Sequence, residues 1–217
     1  MNEGDQSRRS FIKQAGAAPM AGLFTAIDSH RPIKSDNLGH LLIGEEHLDD
    51  GFTEFDAKNP ISDRLIEEDS EFEAAIVDQN GYVKGEDPEN PQEVVSSAVV
   101  RTPEPYNRDA VIDATTAVYD KFIRQYEQET PTEIEFDQDH TSHEEHTDWS
   151  YRMTRTVQIG DQRPLDQNLF KERFRIQFFD QTLLMTLVFG PDSITKPSVD
   201  EVVDEIAAFQ RRQYLKE

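Results

Sequence analysis

Residues 137–148 hold the densest set of side chains able to do chemistry. The run contains Asp137, Asp139, His140, His143, Glu144, Glu145, His146 and Asp148, and three of the six histidines fall within seven residues. Imidazole and carboxylate together suit a divalent transition ion, and Asp139, His140, His143 and His146 are the candidate ligands. The zinc-protease helix motifs do not fit. H-E-x-x-H needs histidines four apart, and His143 and His146 are three apart; H-x-x-E-H fails because Ser142 stands where a histidine is required.

Two conformations are open for this run. A hairpin with Phe136 opposite Trp149 and Ile134 opposite Tyr151 puts His140 on the core side, His143 at the tip and His146 on the opposite face. The three then diverge. In a helical turn, steps of about 100° gather them within about 120° of arc. The plainest reading is a solvated polar hairpin tip, and a pH-responsive loop is compatible with either conformation because histidine titrates near neutrality. A metal-assisted enzyme is the catalytic alternative. No other cofactor is indicated: no G-x-S-x-G, G-x-G-x-x-G or G-K-[ST] occurs. The absence of cysteine excludes disulfides, thiol catalysis, thiolate metal sites and a cysteine-linked lipid anchor.

The elements that must position these residues are strands. In 148–159 the odd positions Trp149, Tyr151, Met153, Val157 and Ile159 are apolar, interrupted by Arg155, and the even positions are polar. That period of two marks a half-buried strand. Phe174, Ile176 and Phe178 alternate with Arg173, Arg175 and Gln177, and Leu183, Met185, Leu187 and Phe189 follow the same rule. A tight turn at Asp180-Gln181 places Phe178 opposite Leu183, Ile176 opposite Met185 and Phe174 opposite Leu187, so each in-facing residue meets another. Trp149 and Tyr151 read as core on this pattern. Arg155 marks either an ion pair or the mouth of a pocket that Trp149 and Tyr151 would line. The polar face of these strands (Arg152, Arg173, Arg175, Gln177) is cationic, fit to pair with helix-borne carboxylates or to receive an anionic ligand.

Elsewhere, Asp49-Asp50-Gly51 is a turn, 52–55 a short strand and 61–71 an acidic helix. Asn80-Gly81 favours a type I′ hairpin between flanking strands. Val94 to Thr102 is a β-branched interior strand. Val111, Ala114, Thr115, Val118, Phe122 and Tyr126 recur at steps of three and four, predicting an amphipathic helix over 108–128 behind an Asn107 cap. A capping box, Ser198 to Glu201, opens a final helix over 199–213. The expected fold class is α+β, an antiparallel β-meander sheet packed against two long amphipathic helices as a sandwich. This element order resembles the photosystem PsbP/Mog1-type domain and some exported sensor-like lipoprotein domains. The resemblance implies a non-enzymatic binding or assembly module.

Composition says where the chain works. It has 217 residues, with Asp plus Glu 44 against Lys plus Arg 22, a formal net charge of −22. Such a field disfavours nucleic acid and anionic lipid. An acid-rich, lysine-poor chain resembles the general style of haloarchaeal proteins, in which high salt screens self-repulsion. No run approaches the ~18–20 apolar residues that span a bilayer. Ser7-Arg8-Arg9-Ser10-Phe11-Ile12-Lys13 matches S-R-R-x-F-[LI]-K, and Ala15 to Ile27 carries no charge. This segment resembles a twin-arginine export signal, with Arg8, Arg9, Phe11 and Lys13 as its recognition residues.

The expected organisation is a signal-like segment at 1–27, a linker at 28–40 and one α+β domain at 41–217. The leading expectation is a salt-adapted, non-catalytic binding or accessory module, extracellular or at the cell surface. Its partner is an unknown protein or small ligand, and it meets the membrane only through the signal segment. A structural or assembly protein of the envelope is the remaining alternative.

Overall fold

A computed structural model of the chain describes residues 38–55, 76–85, 92–102, 105–129, 134–157, 165–191 and 198–216. The signal-like segment, residues 28–37 of the linker and the 61–71 helix lie outside the described residues.

Among the described residues, seven strands form one sheet. They are β1 (Phe52–Phe55), β2 (Ile76–Lys84), β3 (Glu93–Arg101), β4 (Ile134–Ser142), β5 (His146–Val157), β6 (Leu165–Phe179) and β7 (Thr182–Gly190). Their spatial order is β1-β2-β3-β7-β6-β5-β4, and every neighbouring pair is antiparallel. Helix α1 (Arg108–Glu129) precedes β4, and α2 (Val199–Tyr214) follows β7. Single 3-10 turns occupy Gly39–Leu41 and Glu45–His47.

The fold is mostly β, which corrects the expected α+β sandwich with two long helices. Local periodicity understated the sheet in three places. Strand β6 runs 15 residues, well beyond the alternation at 173–178. Polar residues 137–142 stay in β4, held by backbone pairing to β5 rather than by an apolar stripe. Asn80-Gly81 does not turn: β2 passes straight through, with Asn80 paired to Ser97 and Gly81 to Ser96. Positive φ falls at Gly51 (95°), in the turn before β1, and not at Gly81. The Asn80 amide is used otherwise. Its Nδ2 donates to the Ile43 carbonyl, its Oδ1 accepts from Ser97 Oγ at 2.6 Å, and Ile43 N–H donates to Ser97 Oγ at 3.0 Å. These bonds seat the 38–43 segment on the sheet and satisfy polar groups that burial would otherwise penalise.

Strand alternation divides the sheet into two faces. On one, Val111, Val118 and Tyr119 of α1 pack with Trp149, Phe174, Ile176, Met185 and Leu187. On the other, Val199, Val203 and Ile206 of α2 pack with Ile43, Tyr82, Val95 and Val188, beside a cluster of Leu38, Leu41, Leu42, Val99 and Leu184. Among the described residues, each α-helix therefore covers its own side of the sheet.

The β6–β7 register follows the sequence expectation: Phe178 pairs with Leu183, Ile176 with Met185 and Phe174 with Leu187 around Asp180-Gln181. The β4–β5 register does not, since Phe136 meets Met153 and Ile134 meets Arg155. Helix starts are capped as the sequence indicates. Asn107 Oδ1 accepts from the Asp109 and Ala110 N–H groups at 3.1 and 3.3 Å. Ser198 Oγ accepts from Glu201 N–H while the Glu201 carboxylate accepts from Ser198 N–H.

Candidate functional site

The first candidate is the β4–β5 hairpin tip. Pairing runs to Ser142 opposite Thr147, leaving His143 to His146 as the turn, closed by His143 N–H donating to the His146 carbonyl at 2.8 Å. The His143 and His146 rings stack, with centroids 4.5 Å apart. Asp148 lies two residues beyond His146 and so shares its face; His146 Nε2 is 3.3 Å from Asp148 Oδ2. One ligand atom from each of His143, His146 and Asp148 lies within 4.8 Å of the others.

The sequence-derived ligand set divides here. His143 and His146 come together. His140, opposite Trp149, stacks on the indole at 5.2 Å on the α1 side. Asp139 turns its Oδ1 to the His140 N–H at 2.9 Å. Asp148 takes their place in the cluster. Its closeness to the histidines is plain from the chain, but its orientation depends on pairing to β6.

Asp148 is buried, and its charge is matched by two arginines of β6. Arg175 Nε donates to Oδ1 at 2.7 Å and a second guanidinium nitrogen to Oδ2 at 3.2 Å; Arg173 Nε donates to Oδ1 at 3.2 Å. The same arginines reach α2, Arg173 to Asp200 (3.2 Å) and Asp204 (3.6 Å), and Arg175 to Asp204 (2.9 Å). The cationic face of the meander thus receives helix-borne carboxylates. Burial lowers the His146 pKa first, and the Arg175 charge adds to it, so the imidazole is neutral at neutral pH. The tip is clamped from both helices. Arg108 of α1 donates to the His143 and Glu144 carbonyls, and Arg211 of α2 forks onto the Glu145 carboxylate.

Trp149 and Tyr151 are core residues on the α1 side, 3% and 4% exposed. Arg155 lies half-buried on β5, between Ile134 and Gln167. A cavity lies elsewhere among the described residues, and none of these three lines it. That cavity, of about 820 Å³, opens on the other face between α2, β1 and the ends of β3 and β7. Its walls include Ile43, Phe52, Val95, Val188, Val202 and Phe209. Lys84, Glu93, Arg212 and His47 supply charge and hydrogen-bonding capacity. Lys84 Nζ stands 5.2 Å above the Phe52 ring, and His47 packs on Phe209 at 4.2 Å. Sequence patterns missed this site because its residues come from separate stretches of the chain. Val95 and Val202 read as ordinary core of a strand and a helix, and Val188 as the alternate face of the β7 pattern.

A carboxyl lies inside the apolar α1 side. Glu172 is 3% exposed and accepts a hydrogen bond from Tyr119 Oη at 2.8 Å. Burial pushes its carboxyl up to about 7, and the tyrosine bond acts in the opposite direction. Burial and the neighbouring carboxylate together raise the Tyr119 phenol well above its ordinary value.

Among the described residues no helix is long and apolar enough to cross a membrane. No family model and no curated protein matches the chain. Among solved structures, it is similar to the extracellular domain of PknH from Mycobacterium tuberculosis, with a TM-score of 0.44 and 13% identity over 87% of this chain and 100% of that one.

Proposed function

We propose that this chain is an exported, salt-adapted binding module, non-catalytic, that holds a small apolar or amphipathic ligand in the cavity beneath α2. The cavity carries the reading. Its volume falls within the range of about 300–1,000 Å³ usual for small-molecule sites, and it joins an apolar wall to a few charged groups. An apolar body would lie against Val95, Val188 and Phe52, and a polar end would meet Lys84 or Arg212. Native mass spectrometry of the chain purified without denaturant tests this. A retained small molecule on the wild type, missing from Val202→Trp, is the expected result; identical spectra for the two refute it.

Export rests on the Ser7-Arg8-Arg9-Ser10-Phe11-Ile12-Lys13 heptad, which resembles a twin-arginine signal. Replacing Arg8 and Arg9 by lysine should leave the protein inside the cell, and unchanged export sinks that part. Salt adaptation rests on the net charge of −22. The fold should be lost below about molar salt, where screening of carboxylate repulsion weakens.

A further inference from the structure

The hairpin tip supports a second site, separate from the cavity and beyond the reading above. We infer that His143, His146 and Asp148 form a binding site for a divalent transition ion.

Three observations point there. The donor atoms lie within 4.8 Å of one another. Metal–ligand bonds of about 2.0–2.2 Å put donors around one ion about 3–4 Å apart, so closure takes side-chain adjustments of about 1 Å. The turn provides the convergence: it brings His143 over His146, and β5 places Asp148 on the same face. The surroundings also fix the ligands beforehand. Arg175 and Arg173 orient the Asp148 carboxylate, and Arg108 grips the His143 carbonyl. Outer contacts of this kind orient the ligands of metal sites.

The chemistry of the set selects the ion. Two imidazoles and one carboxylate suit zinc, nickel or copper. Calcium and magnesium prefer oxygen ligands, and two of the three donors here are imidazole nitrogens. Three protein ligands leave a coordination position for water or a ligand atom. The two guanidinium groups on Asp148 already neutralise it and repel a dication. The site is therefore weaker than a closed structural zinc centre, suited to exchange of the ion.

The test is calorimetric titration of the full chain with Ni²⁺ and Zn²⁺ in its working salt, with a melting curve for each variant. One ion should bind per wild-type chain. His143→Ala, at an exposed turn position, and His146→Ala should each weaken binding about tenfold or more. His140→Ala should leave binding unchanged, because His140 stacks on Trp149 on the other face. Cu²⁺ electron paramagnetic resonance should show two nitrogen ligands in the wild type and one in His143→Ala. Absence of uptake, uptake that survives both the His143 and His146 changes, or an equal loss in His140→Ala each overturns the assignment.

Discussion

The two sides of strand β6 obey different physics. Toward α1, Phe170, Phe174 and Ile176 meet apolar neighbours, and Glu172 is the charged exception. Toward α2, Lys171, Arg173 and Arg175 meet Asp200, Asp204 and Asp148. One helix is held by area removed from water. The other joins apolar contacts of Val199, Val203 and Ile206 to a set of ion pairs. In a chain with twice as many acids as bases, three basic residues on one face receive the helix carboxylates. The α2 side also holds the cavity and borders the histidine pair. The ion pairs and the cavity thus share the α2 side, while the α1 side buries a carboxyl–phenol pair, Glu172 and Tyr119.

The contrast can be broken from either side. Phe174→Ala should have the largest effect, about 4 kcal/mol of stability lost, because a fully buried aromatic leaves a cavity. Chemical denaturation at several salt concentrations should give nearly the same loss throughout.

Glu172→Gln probes the exception on that face. The folded pKa of Glu172, about 7, is raised above the ordinary 4.5. The unfolded chain therefore gives up this proton first as pH rises. The carboxyl's contribution is intact below pH 4.5 and is lost as pH climbs through about 7. Above that, the penalty is about 3 kcal/mol. The substituted amide would be neutral and keep an oxygen for the Tyr119 hydroxyl. Denaturation at about pH 8 should show a gain of that order, shrinking toward zero by about pH 4.

Asp148→Ala should cost about 2 kcal/mol, since Arg173 and Arg175 lose a buried partner but keep Asp200 and Asp204. Unlike the phenylalanine effect, this loss should diminish as salt rises, modestly because the pairs are partly buried. Ser198→Ala should be smallest, about 1 kcal/mol, removing the cap that orients α2; the change in melting temperature measures it.

Much of this architecture was legible wherever apolar residues alternate. Phe174, Ile176 and Phe178 meet Leu187, Met185 and Leu183 because alternation fixes the faces and the tight turn at Asp180-Gln181 fixes the register. Where side chains are polar, register was not legible. From Asp137 to Asp148 no apolar residue fixes the pairing. Phe136 therefore meets Met153 rather than Trp149, and His140 takes the place opposite the tryptophan. The shift is even, so each histidine keeps its expected face. What changed is the company of His143 and His146, which depends on β6 supplying arginines to Asp148. Asn80-Gly81 failed as a turn signal for a similar reason: the Asn80 side chain bonds Ile43 and Ser97, contacts invisible to local propensity. The mostly-β balance was illegible because long strands such as β6 contain stretches without alternation.

The most direct test of the account is titration of the folded chain with an apolar fluorophore whose emission rises on leaving water. Saturable binding to the wild type, abolished in Val202→Trp at an unchanged melting temperature and retained in Phe170→Leu on the opposite face, is the predicted result. Equal binding to wild type and Val202→Trp, or no binding to either, would contradict a ligand cavity beneath α2.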